Sequence, residues 1–291
     1  MAGLVGFRQL GLSFLLAHLA DASSGCYDKV SAPIIKNDKT NAKEGTFPLL
    51  VYSHGFGGNM DMGTYFLRQI ASKGIVVAAV EHTDGTASST VLKDGTILPF
   101  SPGMQSGREQ LSQRSDEILE ASVLSNLPPD FQSMIDTNRV FLGGHSYGAP
   151  SALLASARAK KNISGNLSIN IAGLVLHDPA LAMGYGMLTT EDLTAVPTIS
   201  YTSDEYNRGG VKCGNLTLHV RGAFHGNFVD APLWAPLWVM RLLSTVIPAC
   251  GPADPMEVHE ELAQSLSAFV ETGRVDSASV MKGHLFEFIA R

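Results

Sequence analysis

The run Val140-Phe141-Leu142-Gly143-Gly144-His145-Ser146-Tyr147-Gly148-Ala149-Pro150, continuing through small residues to Ser156, decides how the rest of this 291-residue chain is read. Three apolar residues make a short strand segment, two glycines break it, and Ala149 to Ala159 carries the small side chains of a packed helix. Ser146 therefore falls on a strand-to-helix turn, flanked by Gly144 and Gly148 where a Cβ would meet the neighbouring strand or helix. A turn of this kind lifts a serine hydroxyl clear of the backbone, the setting of a nucleophile elbow. In a chain with 29 glycines the bare Gly-x-Ser-x-Gly pattern carries little weight. Its surroundings have to decide.

Upstream of the elbow, Leu49-Leu50-Val51-Tyr52 is a continuous apolar run of the kind found in a strand buried on both faces, and it ends in Ser53-His54-Gly55-Phe56-Gly57-Gly58, a candidate oxyanion loop. Asn59 is placed to cap a helix running to Lys73, Gly74 to stop it, and Ile75 to Val80 reads as a second buried strand. Strand, helix, strand predicts a parallel sheet with a right-handed crossover. The segment from Glu81 to Gly107 is too long and polar for a mere connection and is expected to frame the site. Within it, Asp94-Gly95 between Val91-Leu92 and Ile97-Leu98 predicts a hairpin. Arg108 to Leu127 reads as a helix stopped by Pro128-Pro129.

Downstream, strands are predicted at Gly173 to Leu176, Pro197 to Tyr201 and Leu216 to Val220, each delivering polar residues at its C-terminal end: Asp178, then Asp204 and Glu205, then His225. Open α/β sheets place ligands at that edge. The order of serine, acid and histidine is that of α/β-hydrolases. A serine hydroxyl needs a neutral imidazole to take its proton, and the imidazole needs a carboxylate to fix its tautomer and stabilise its cation. Ser146 and His225 fit the first two roles, while sequence order leaves the acid open among Asp178, Asp204 and Glu205. His145 and His177 are read as structural residues pointing away from the site. His54 is read as structural too, although it adjoins the oxyanion loop.

Composition narrows the remaining classes. With 45% hydrophobic and 16% charged residues, the chain suits one large α/β domain. A net charge of −6 with no Lys/Arg-rich run argues against nucleic acid as a partner. Cys26, Cys213 and Cys250 lie far apart without C-x-x-C spacing, so buried thiols are expected rather than a disulfide framework or a zinc site. No metal and no other cofactor is called for. Residues 1–46 are set apart as an apolar N-terminal helix and connector, 47–272 as the hydrolase domain and 273–291 as a C-terminal tail. At the N-terminus two readings stay open: a signal peptide (Arg8, then Leu10 to Leu19, then Ala20-Asp21-Ala22), or an apolar helix packed on the domain or lying at a lipid surface. Either is too short to span a bilayer, and the localisation is left undecided between them. Sequons at Asn162, Asn166 and Asn215 shift this balance little. A second apolar stretch, Pro232 to Met240, spaces Trp234 and Trp238 to share a helix face, and burial in the core is expected for it.

Four ordered motifs then carry a resemblance: Phe47 to Gly58, Val77-Ala78-Ala79-Val80-Glu81-His82, Gly144-His145-Ser146-Tyr147-Gly148, and Arg221-Gly222-Ala223-Phe224-His225-Gly226-Asn227-Phe228. Together they resemble the plasma and type II intracellular platelet-activating factor acetylhydrolases. The resemblance implies an α/β-hydrolase with a mostly parallel central sheet and helices on both faces. It also implies a calcium-independent phospholipase A2 type esterase acting on short or oxidised sn-2 acyl groups of a phospholipid, while peripheral contact with a lipid surface is expected separately, through the apolar residues Phe7 to Leu19. It assigns Ser146 as nucleophile, His225 as base, Asp178 as acid, and the amides of Phe56 and Tyr147 as oxyanion donors. Thr83, Ala149 and Pro179 depart from the family pattern, and residues 1–46 look similar to an internal family segment, as expected of a truncated chain. A small-ester carboxylesterase and a hydrolase-fold binding protein without turnover are the competing functional readings.

Overall fold

A computed structural model of the protein describes residues 46–289 apart from 93, 101–105, 162–168, 235, 248 and 277. The expectations for the N-terminal helix, Cys26, Asn162 and Asn166 lie outside the described residues. The chain begins with β1 (Phe47–Ser53), a 3-10 turn (Met60–Gly63), α1 (Thr64–Ala71) and β2 (Val76–Val80). The hairpin β3 (Ser89–Val91) and β4 (Ile97–Pro99) follows, then α2 (Arg108–Ser122), α3 (Pro129–Gln132), β5 (Ile135–His145) and α4 (Gly148–Lys161). The second half is β6 (Ile171–His177), β7 (Thr198–Thr202), α5 (Asp204–Arg208), β8 (Leu216–Val220), α6 (Leu237–Leu243), α7 (Pro255–Thr272) and β9 (Phe286–Phe288).

Seven strands form one sheet in the order β2-β1-β5-β6-β7-β8-β9. All neighbours are parallel except β8 and β9. The apolar run of β1 is buried on both sides: Leu50 and Tyr52 face a cluster with Phe66 and Ile70 of α1 and Leu262, Leu266 and Phe269 of α7, while Leu49 and Val51 face Ile118 of α2 and Ala152 and Ala155 of α4. Leu49, Leu50 and Val51 are fully buried, and each such side chain contributes about 1.5–3 kcal/mol by leaving water. Helices thus cover both faces, as an α/β-hydrolase requires. Asn59 accepts a hydrogen bond from Asp61 N at 3.0 Å, so it caps the 3-10 turn that leads into α1 rather than α1 itself.

Strand order reverses at β1, which pairs with β2 on one side and with β5 on the other. A ligand crevice forms outside the C-terminal ends of strands at such a switch point. The loop after β1 and the turn after β5 both open there.

Three expectations are corrected. Trp234 and Trp238 do not share a helix: Trp234 closes the 3-10 turn Ala231–Leu233, and α6 begins after Pro236, whose fixed φ and missing N–H suit a helix start rather than a continuation. Nor is this stretch wholly core: Pro232 and Met240 are buried, but Trp238 is 71% exposed, and beyond the stretch Leu242 is 64%, Val246 85% and Ile247 54% exposed. The segment after Gly273, set apart from the sequence as a tail, returns to the domain, and β9 closes the sheet edge against β8. Cys213 and Cys250 are buried free thiols.

Candidate active site

The elbow is built by close approach. A Cβ on Gly144 would stand 2.3 Å from the Gly148 carbonyl carbon, and one on Gly148 would stand 2.1 Å from Ser53 O. Only hydrogen fits at either flank. Ser146 itself is held at φ +55°, its amide donating to His177 O at 2.9 Å and its carbonyl accepting from Ala180 N at 3.2 Å. A non-glycine residue in this region persists only where its surroundings over-determine it.

His225 follows β8 on the 3-10 turn His225–Phe228. Its Nδ1 lies 2.8 Å from Asp178 Oδ2, and the other carboxylate oxygen accepts from Ser203 N at 2.6 Å. Asp178 is fully buried and sits at φ +43° directly after β6. Asp204, left open as the acid in the sequence, faces another imidazole: its Oδ1 is 2.8 Å from His219 Nε2 and accepts from Gly222 N at 3.1 Å. Of the candidate acids, Asp178 is the one paired with His225.

Ser146 and His225 line one cavity of about 400 Å³, with His54, Phe56, Phe100 and Ile247 among its walls. A larger, shallower depression of about 710 Å³, walled by Arg108, Glu109, Glu117 and Glu120, holds none of the candidate site residues. Among the described residues, neither the Phe56 nor the Tyr147 amide donates to a protein acceptor, so both stay available to a ligand oxygen. Phe56 lies on the loop after β1, its ring edge-on to that of Tyr147 at 6.3 Å. No group of three or more His, Cys, Asp or Glu with metal-holding geometry occurs among the described residues.

The model of the family "Platelet-activating factor acetylhydrolase, isoform II" matches residues 8–101. A platelet-activating factor acetylhydrolase from Canis lupus familiaris is 26% identical over 259 residues, covering 77% of this chain and 56% of that protein. Another from Gallus gallus is 28% identical over 145 residues, covering 37% of this chain and 34% of that protein. The chain is similar to the platelet-activating factor acetylhydrolases. Its matches span only about a third to just over half the length of these relatives. Among solved structures, a ferulic acid esterase from Streptomyces cinnamoneus superposes with a TM-score of 0.63 at 17% identity over 84% of this chain and 74% of that one, which shows the α/β-hydrolase fold.

Three residues at this site have roles that sequence reasoning missed. His145, expected to point away, packs its ring against that of His225, tilted by 36° with centroids 4.4 Å apart. The Tyr206 ring lies nearly parallel to that of His225, at 4° and 5.2 Å between centroids. Burial first, and then the Asp178 charge, push the Tyr206 phenol up to about 12, so it stays protonated as a donor. The third is Arg114, wholly buried on α2. The two ring contacts on His225 join residues 80 and 19 positions apart, and no local pattern announces them.

The other histidines are structural in their contacts. His177 Nδ1 is 2.6 Å from the Tyr52 hydroxyl, and His82 bridges Ser53 Oγ at 2.8 Å and Glu117 Oε2 at 2.6 Å. His54 Nδ1 is 2.8 Å from Gly55 O and its Nε2 is 3.1 Å from Glu81. Burial is the first cause that holds five imidazoles below their ordinary value of 6.5: His54, His82, His145, His177 (to about 3) and His259 (to about 4). In the unfolded chain each takes its proton near pH 6.5, whereas the native state stays neutral. Stability should therefore fall as pH drops from about 6.5 toward 4, each histidine contributing up to about 1.4 kcal/mol per pH unit. The check is the urea midpoint at pH 7.5 and pH 5. A clearly lower midpoint at pH 5 is expected, and equal midpoints would mean that the native state protonates these rings.

Proposed function

We propose that the chain is a serine esterase that hydrolyses the short or oxidised sn-2 acyl ester of a glycerophospholipid. The observation that carries this reading is the pairing of His225 with buried Asp178 in the same cavity as a serine held at positive φ on an elbow. In the reaction, the Ser146 hydroxyl passes its proton to His225 Nε2 and attacks the ester carbonyl. The Phe56 and Tyr147 amides hold the oxyanion, each donor contributing roughly 3 kcal/mol in comparable sites. The His225 imidazolium, steadied by Asp178, hands the proton to the lysophospholipid oxygen as the acyl bond breaks. Water then takes the serine's place as nucleophile and releases the carboxylic acid.

A lipid substrate is supported by the relatives' names and by the apolar surface at the cavity mouth. Ile247 lines the cavity and continues into exposed Val246, Leu242 and Trp238 along α6 and the turns after it. No described helix is long and apolar enough to cross a membrane, so contact with lipid in this reading is peripheral and runs through this face. The test compares matched phospholipids carrying two-carbon and long sn-2 chains, presented in vesicles, with p-nitrophenyl acetate as a soluble control. Preferential release of acetate from the phospholipid is expected. Trp238→Ser should lower vesicle-borne turnover several-fold while sparing the soluble ester. Turnover of p-nitrophenyl acetate alone would make the protein a small-ester carboxylesterase, and no turnover with no fluorophosphonate labelling would make it a binding protein.

A further inference from the structure

Arg114 is fully buried in the middle of α2, and its guanidinium touches both segments that flank the candidate oxyanion site. Its Nη1 donates to His54 O at 2.7 Å, two residues before Phe56, and its Nη2 lies 3.4 Å from His54 Nδ1. Its Nε donates to Asp84 Oδ2 at 3.0 Å and to Thr86 Oγ1 at 2.9 Å. The same strand-side segment straps the loop directly, since Gly57 N donates to Thr86 O at 2.8 Å and Ser88 N to Gly58 O at 2.6 Å. On its flat face the guanidinium carbon stands 4.7 Å from the centroid of the Tyr147 ring.

Burying a guanidinium with one carboxylate partner costs more than filling the same volume with an aliphatic side chain. What arginine adds here is geometry: a rigid planar fork donates in two in-plane directions while its face lies on an aromatic ring. The fork reaches the Phe56 loop through His54 O and Thr86, and the guanidinium carbon sits over the ring of Tyr147. We propose that Arg114 is a positioning residue that holds the Phe56 and Tyr147 amides in register for the oxyanion. The proposal rests on the esterase reading above. Arg114 reaches neither the cavity nor a reacting atom in this role; it acts through the two backbone segments. Lysine would keep the charge but supply neither the fork nor the stacking face.

The experiment uses Arg114→Lys, Arg114→Gln and Arg114→Ala on the full chain, with active sites counted by fluorophosphonate titration carried to completion. For p-nitrophenyl acetate, kcat per titrated site should fall roughly 10- to 100-fold, as expected when oxyanion donors are displaced, with KM within about twofold. The inhibition constant of a trifluoromethyl ketone, which adds the serine to form a tetrahedral oxyanion, should rise by the same factor as kcat/KM falls. The pH profile set by His225 should keep its position, and added guanidinium should restore part of the turnover of Arg114→Ala. Loss of titratable sites with unchanged kcat per site, or failure of all three variants to fold, would assign Arg114 to the core and overturn the proposal. So would Arg114→Lys at wild-type kcat. A wild-type protein that neither labels nor turns over removes the esterase reading and this proposal with it, whereas an active wild type matched by its Arg114 variants removes this proposal alone.

Discussion

Ser146→Ala should lower ester turnover by on the order of 10⁴ to 10⁶, the loss seen when the nucleophile of a serine hydrolase is removed. The fold should survive, because alanine keeps the Cβ and the backbone contacts that hold this residue at φ +55° and gives up only a hydroxyl. Fluorophosphonate labelling should vanish in the same variant, and the melting temperature should move by no more than a few degrees. His225→Ala should lose nearly as much turnover, since without the imidazole nothing takes the serine proton at neutral pH. Wild-type turnover in Ser146→Ala would place the nucleophile elsewhere and end the esterase mechanism.

Much of this frame was legible in the chain because it rests on local rules. The elbow depends on two glycines two residues either side of a serine, and the continuous apolar runs of β1 and β5 reported a sheet buried on both faces. Each predicted strand end delivered a polar residue to the same sheet edge because parallel strands share a direction. The partners of those residues were not legible. Whether His225 meets Asp178 or Asp204 depends on β6, β7 and β8 lying side by side and on Asp204 turning into α5 to meet His219. Tyr206 reaches His225 because α5 follows β7 directly, and His145 does so because β5 extends to it. The Trp238 face was misread because apolar spacing alone does not say whether a face meets core or solvent, and Pro236 divided what looked like one helix. β9 was missed because three residues, Phe286-Glu287-Phe288, give too short an alternation to stand out from a tail.

The choice of acid can be tested without disturbing the pocket, because Asp178→Asn changes one atom's chemistry and almost nothing of its volume. In the native arrangement Asp178 Oδ1 accepts from Ser203 N at 2.6 Å while Oδ2 faces His225 Nδ1 at 2.8 Å. An asparagine would keep its carbonyl on the Ser203 amide and turn its NH₂ to Nδ1. That donor favours the imidazole with its proton on Nε2, the tautomer that cannot accept from serine. The expected loss in kcat is about 10⁴-fold, the size of the same tautomer effect in serine proteases, with KM little changed because Asp178 is buried out of contact with substrate. Asp204→Asn should leave kcat within a few-fold of wild type, since its partners are His219 and the Gly222 amide. Its cost should show in thermal stability instead, because it weakens a largely buried pair with His219. Steady-state kinetics of both variants on one soluble ester decides the matter: the reverse ranking, with Asp204→Asn the inactive one, would move the acid to the end of β7 and require His225 to leave the partner it holds here.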